Sequence, residues 1–313
     1  MIGDREEGKG ERKEKASLRR LLIEATRLLQ EENLDTPRLD AEVLLGHVTG
    51  LTRAQIHAHP DRQLDATDLD SYYELIERRR QHEPVAYILG YKEFYGLDFY
   101  VDRRVLIPRP ETELLVEKGL EIGRAALYPL TIADVGTGSG AIAISLVVHL
   151  PQAIIYALDA SPKALEVAAL NCCRHNVARR VHLLQGDLLS PLPEPVDLIA
   201  ANLPYVSGAE WEQLPRTIAA YEPRSALDGG PDGLEAIRRL LAQARFHLKP
   251  QATVLLEIGA TQGAAVTDLA RHSFDNPLAG LRTPHFSTAR VEVVQDYAGL
   301  DRMVVIEIQA ASC

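Results

Sequence analysis

From Leu130 onward, short apolar runs alternate with segments of helical periodicity, and this alternation limits the fold more than any other feature of the chain. The runs cover residues 131–135, 153–158, 181–185, 196–201 and 253–258, and the intervening stretches 140–149, 161–175 and 233–247 carry apolar residues at helical spacing. Short, continuously apolar runs bounded by helices read as strands buried on both faces. The expected class is therefore α/β, a parallel sheet with helices packed on each side. Two last runs, 291–294 and 303–308, are joined by a turn-length connection without a helix, so they are expected to pair antiparallel.

The first third of the chain has a different pattern. Residues 1–15 are charged, glycine-containing and aperiodic, which reads as a disordered tail. Leu18, Leu21, Leu22, Ala25, Leu28 and Leu29 then repeat at helical spacing behind Ser17, a suitable N-cap, and further helical patterns span about 38–48 and 67–80. Residues 16–82 are thus expected to form a small helical bundle, punctuated by Pro37 and Pro60. Residues 83–108 read as an extended linker: Val85 to Leu89, then aromatic runs on either side of Gly96 that suggest a hairpin. Pro108 and Pro110 end it, a helix is expected over 111–122, and residues 109–313 form the second domain.

Charge and cysteine usage narrow the function. A net charge of -10 leans against a bulk nucleic-acid substrate, because neutralising many phosphates calls for a basic face. Arg78-Arg79-Arg80 and Arg103-Arg104 lie among acidic residues and read as solvated surface. No run approaches the length of a membrane span and the N-terminus has no apolar signal core, so a cytoplasmic location is expected. The 3 cysteines and 10 histidines make neither a disulfide framework nor a metal-ligand spacing, and no metal is expected.

The motif Asp134-Val135-Gly136-Thr137-Gly138-Ser139-Gly140 follows the first strand of the alternating region and opens a helix. Glycines there permit a tight turn and close approach of a ligand to the backbone. Read from Gly136 to Ala141 the pattern also fits a dinucleotide fingerprint, and Asp159 at the end of the next strand suits ribose hydroxyls in either case. Asp134 favours a cationic ligand over a pyrophosphate. Asp187 after the third strand can accept from an adenine amino group, with Leu188 as an apolar surface for the ring. These residues point to S-adenosylmethionine.

Asn202-Leu203-Pro204-Tyr205 leaves the fourth strand directly. Ligands of open α/β sheets bind at the carboxyl ends of strands, so this loop should lie beside the glycine loop. An amide nitrogen is a poor nucleophile and must be held in place to react. The Asn202 side-chain oxygen and the Leu203 carbonyl can each accept one N–H, Pro204 stiffens the turn, and Tyr205 can pack on the flat face of the substrate group. The expected chemistry is methyl transfer onto an amide or exocyclic amine.

With those residues in view, the chain resembles the HemK/PrmC family of protein-glutamine N(5)-methyltransferases, which act on the Gly-Gly-Gln glutamine of peptide chain release factors. The resemblance runs through Glu83 to Gly90, Phe94 to Leu97, Val105 to Glu113, Asp134 to Gly140, Asn202 to Tyr205, Tyr221 to Pro223, Gly229 to Leu234 and Glu257 to Gly259. It implies a seven-stranded, Rossmann-like class I methyltransferase domain, a helical N-terminal substrate-recognition domain and a β-hairpin linker. It further implies that Asp134, Gly136, Thr137, Gly138, Ser139, Gly140, Asp159, Asp187, Leu188 and Asn202 bind S-adenosylmethionine, and that Asn202, Leu203, Pro204 and Tyr205 hold the glutamine. The aromatic-rich linker and Arg109 to Glu113 lie where the protein substrate could enter, or form an interdomain packing seam. The implied partner is a release factor, with nucleic acid involved only through the ribosome, and the expected state is a monomer. Two departures stand out: Leu203 replaces the usual first proline of the loop, and the proline-containing stretch 276–288 is longer.

Three other functions fit part of the pattern, one of them a nicotinamide-dependent dehydrogenase using the dinucleotide fingerprint. A nucleic-acid amino-methyltransferase uses a similar loop, with the tyrosine stacking on a flipped base. A cofactor-binding protein that has lost catalysis is favoured only by Leu203.

Overall fold

Ser17 caps the first helix, its side chain accepting from the Arg20 amide at 3.4 Å, and the helix Leu18–Glu31 buries Leu18, Leu21, Leu22, Ala25 and Leu29. This is the computed structural model of the chain, which describes residues 16–275 and 286–310. The tail 1–15 and most of the stretch 276–288 lie outside the described residues. The chain divides after Leu89 into two compact units.

In the first unit, helices Pro37–Thr49, Arg53–Ala58 and Ala66–Arg80 follow the capped helix. Pro37 sits in a first turn, where its missing N–H costs nothing, and Gly50 ends that helix in the left-handed conformation. Leu29, Leu44, Leu45, Ile56, Tyr72 and Ile76 close the core. A buried ion pair, Arg79 to Asp40 at 2.7 Å, crosses it.

Residues 85–89 depart from the extended reading: Val85–Leu89 is a helical turn. The Pro84 carbonyl accepts from both the Tyr87 and Ile88 amides, and Gly90, at φ 74, ends the turn. A short apolar run of aromatic and β-branched residues does not by itself distinguish strand from helix, and here a proline at the start of the turn decides it.

The second unit opens with the expected hairpin, β1 (Tyr91–Phe94) against β2 (Leu97–Tyr100). Its two turn residues, Tyr95 and Gly96, both have positive φ, as a two-residue hairpin of matching twist requires. The left-handed Tyr95 is held by its amide, which donates to Glu113 Oε1 at 3.0 Å. Glu113 opens the helix Glu113–Ala125.

Among the described residues the main sheet has seven strands: β3 (Thr131–Val135), β4 (Ile154–Asp159), β5 (Val181–Gln185), β6 (Val196–Ala201), β7 (Leu248–Glu257), β8 (Phe286–Gln295) and β9 (Asp301–Ala310). Their order is β5-β4-β3-β6-β7-β9-β8. The first five run parallel; β9 pairs antiparallel with β8, as the short connection predicts, and also with β7. Every residue of β6 is buried, in keeping with a central strand covered on both faces. Helices Ala141–His149, Pro162–Arg174 and Glu235–Ala244 occupy the expected crossovers, while Gly263–Asp275 was not anticipated from the sequence.

The order sets the site. From β3 the chain winds outward through β4 to β5, and from β6 it winds the other way to β7. The reversal lies between β3 and β6, where a crevice forms beyond the carboxyl ends of the strands.

Candidate active site

Val135, the last residue of β3, pairs with Ala201, the last residue of β6. The glycine loop and the Asn202 loop therefore leave the sheet side by side and at one level. They meet directly: a Cβ on Gly136 would lie 3.2 Å from Leu203 Cδ2 and 3.4 Å from the Asn202 carbonyl oxygen. Gly136, Gly138 and Gly140 all have positive φ, so the turn itself demands glycine.

These loops line a cavity of about 490 Å³, within the size range of small-molecule sites. Its wall brings together Gly136, Thr137, Gly138, Ser139, Asp159, Asp187, Leu188, Asn202, Leu203, Pro204 and Arg109, all singled out from the sequence. Thr112, Pro223 and Arg239 also line it. Asp134, Gly140 and Tyr205 stand apart from the lining, behind the loops that form it.

The backbone of the glycine loop is largely committed to the protein. The Gly136 and Thr137 amides donate to the Leu158 carbonyl, Gly140 donates to Thr137, and Gly138 donates to Asp159 Oδ2 at 2.9 Å. Few N–H groups are left to cradle a pyrophosphate. Burial raises the pKa of Asp159, opposed by the Ser161 and Gly138 amides. Asp134 is fully buried; its Oδ2 accepts from Thr137 at 2.6 Å and from the Ala143 amide at 3.1 Å, and its Oδ1 has no hydrogen-bond partner. Burial pushes the Asp134 carboxyl up to about 7, with nearby Asp159 adding to the rise. A buried and a half-buried acid favour a ligand carrying positive charge and disfavour a phosphate. The residues thus fit S-adenosylmethionine, with its ammonium and sulfonium, better than a dinucleotide.

Asp187 is not a lone carboxylate, since Arg239 meets its Oδ2 at 2.6 Å. Both side chains are about half exposed, so the pair holds weakly and an adenine amine can compete for it. Leu188 takes a left-handed φ of 50, unusual for a leucine, which sets its side chain against the cavity.

The Asn202 loop is held from beneath. Leu203 is 4% exposed and packs into the sheet core, so burial fixes the residue where a proline would fix φ. Asn202 donates from Nδ2 to Thr112 Oγ1 at 3.0 Å, and Tyr205 donates its hydroxyl to Glu257 at 3.3 Å. Burial, with Glu257 nearby, raises the Tyr205 pKa, so the hydroxyl remains a donor. Gln262 Nε2 donates to the Tyr205 carbonyl at 3.0 Å. The loop 229–233 packs against the same segment: a Cβ on Gly229 would meet the Pro204 carbonyl at 2.8 Å, and only glycine leaves room.

Arg109 pairs with Glu222, whose Oε2 also accepts from the Ile107 amide at 3.1 Å. Glu222 is almost wholly buried, so Arg109 belongs to a packing seam as well as to the cavity wall. Sequence reasoning gave no role to Glu222, Glu257 or Gln262, and placed Thr112 only within the stretch Arg109 to Glu113. The signal for Glu257 was legible: an acid set within the apolar run Val254 to Ile258 is rarely buried without a partner.

Comparison with known proteins agrees with this geometry. Residues 20–90 match the PrmC N-terminal domain family and residues 112–220 match the methyltransferase small domain family. The chain is 45% identical over 288 residues to a release factor glutamine methyltransferase of Moorella thermoacetica, covering 91% of this chain and 96% of that one. It is 41% identical over 292 residues to the protein of the same name from Nitratidesulfovibrio vulgaris, covering 92% and 94%. Among solved structures, a methyltransferase from Pyrococcus furiosus shares the fold, with TM-score 0.50 and 18% identity over 70% of this chain and 92% of that one.

Proposed function

The chain belongs to the release factor glutamine methyltransferases, and on that premise we propose that it methylates the side-chain amide nitrogen of the glutamine in the Gly-Gly-Gln motif of peptide chain release factors, using S-adenosylmethionine. The observation that carries this reading is the pairing of Val135 with Ala201, which sets an amide-holding loop beside a cofactor-type loop on one cavity.

When bound, S-adenosylmethionine supplies a methyl group on a positively charged sulfur. Asp159 accepts from ribose hydroxyls, Asp187 accepts from the adenine amine, and Leu188 covers the ring. A cation near the buried Asp134 carboxyl would favour its charged form, which suits the cationic end of the ligand. Asn202 spends its Nδ2 on Thr112 and keeps Oδ1 as an acceptor for one N–H of the glutamine, while the Leu203 carbonyl accepts the other. Holding both N–H groups fixes the nitrogen for in-line attack, which is where the rate gain of such a site arises. As the nitrogen–methyl bond forms, the methyl–sulfur bond would break with its electron pair leaving on sulfur, and the nitrogen loses its proton to water then or soon after. Pro204 and Tyr205 keep the loop in this geometry.

The lining begins at Arg104, beyond the helical unit and the hairpin, so both are assigned to recognising the release factor. A working monomer is proposed, since docking on a large protein partner needs no second copy of the chain. Among the described residues no helix is long and apolar enough to cross a membrane. A substrate that works on ribosomes places the enzyme in the cytoplasm.

The test is label transfer from methyl-tritiated S-adenosylmethionine to a purified bacterial release factor, to DNA and to RNA. Label on the release factor, lost in Asn202→Ala, supports the reading. Label on nucleic acid with a steep salt dependence overturns it.

A further inference from the structure

Glu257 closes β7 at 2% exposure, directly behind the Asn202 loop. Its Oε2 accepts the Thr112 hydroxyl at 2.6 Å, and its Oε1 accepts the Tyr205 hydroxyl at 3.3 Å. Thr112 Oγ1 in turn accepts from Asn202 Nδ2 at 3.0 Å. We propose that Glu257, acting through Thr112, fixes which end of the Asn202 amide faces the substrate, making both positioning residues for methyl transfer. This rests on the function proposed above, in which Asn202 Oδ1 accepts a glutamine N–H.

The chain of hydrogen bonds has a direction. A carboxylate can only accept, so the single Thr112 proton is committed to Glu257. What Thr112 then offers Asn202 is a lone pair, and only the NH2 end of the amide can use it. Oδ1 is left for the substrate. The two ends of an asparagine amide are nearly the same shape, so packing alone does not choose between them. The flipped amide would set its own N–H groups against those of the glutamine, leaving buried donors unpaired at a cost worth a tenfold to roughly hundredfold loss of rate.

The groups facing Glu257 are Thr112, Tyr205, Glu111 and Arg302. Burial pushes the Glu257 carboxyl up to about 7, Glu111 adds to the rise, and the two hydroxyls and Arg302 oppose it. Once protonated, Glu257 becomes a donor as well as an acceptor. The Thr112 proton is then free to turn toward Asn202, and the orientation loosens. Order in the Asn202 amide is therefore gained as pH rises through about 7.

The experiment is methylation kinetics on a release factor between about pH 6 and 9, for the wild type, T112V, T112S and E257Q, with cofactor affinity measured alongside. T112V, which keeps the shape and removes the hydroxyl, is expected to lose roughly tenfold to hundredfold in kcat/KM with cofactor affinity within about twofold, and T112S to recover most of that loss. The wild-type rate should fall below about pH 7, and E257Q, which cannot titrate, should be slow and lack that limb. Wild-type kinetics in T112V, or an unchanged acid limb in E257Q, overturns the inference. If T112V does not fold, as loss of cofactor binding would reveal, the E257Q pH profile decides alone. A wild-type protein that binds cofactor yet leaves the release factor unmethylated overturns the functional reading, and the inference with it.

Discussion

Leu203 packs against Gly136: the leucine Cδ2 lies 3.2 Å from where a glycine Cβ would stand. The residue that departs from the family's usual proline is thus the one that locks the amide-holding loop to the cofactor loop. It reaches the same end by another route, burial in place of a fixed φ.

Leu203→Ala should cost about 2–4 kcal/mol of stability, as for other buried leucines, and should reduce methylation by more than it weakens cofactor binding. Denaturant unfolding and steady-state kinetics measure both. Leu203→Pro should keep activity within a few-fold while losing stability, because the φ restraint returns but the core contact does not. Full stability in Leu203→Ala would mean the side chain is not a core contact.

Arg109→Ala leaves the buried Glu222 carboxylate without its cation, and about 1–3 kcal/mol of stability should be lost. Glu222→Gln introduced beside it should restore part of that loss by removing the stranded charge. Methylation by the restored double variant then separates the two roles of Arg109. Activity that stays low marks a substrate contact, and activity that returns with stability marks a packing seam alone.

Asp159→Asn should weaken cofactor binding by roughly tenfold to hundredfold while release-factor affinity changes little. Both carboxylate oxygens already accept from backbone, one from Gly138 and one from Ser161, and an amide keeps only one acceptor. Isothermal titration with S-adenosylmethionine reads the change, and an unaltered affinity would remove Asp159 from the cofactor site.

Asp134 makes stability depend on pH in a definite direction. Its pKa rises from 3.8 to about 7 on folding, so between those values the folded state holds a proton the unfolded chain has lost. The resulting stability is complete below about pH 4 and is lost as pH rises through about 7. Melting temperatures of the ligand-free protein should fall by several degrees more over this window than those of Asp134→Asn. Parallel profiles for the two proteins would contradict the assignment.

The sheet was legible because its strands are short apolar runs between helical repeats, and because a connection without a helix permits only antiparallel pairing. Residues 85–89 were misread because five apolar residues satisfy either pattern, and the Pro84 carbonyl with Gly90 decides between them in favour of a helical turn. Most proposed ligand contacts were also readable, since each sits just beyond a strand's carboxyl end. The connections to their supports were not. Thr112 precedes Asn202 by 90 residues, and Glu257 follows it by more than 50, so neither spacing nor periodicity connects them. The pairing of Ala201 with Leu256 makes Asn202 and Glu257 neighbours, and the helical turn Pro110–Thr112 brings Thr112 to both.

The most direct measurement is the intact mass of a release factor after incubation with this protein and S-adenosylmethionine, followed by peptide mapping. The account predicts one added methyl group on the glutamine of the Gly-Gly-Gln motif, absent with Asn202→Ala. A methyl group on any other residue, or none at saturating cofactor, would contradict it.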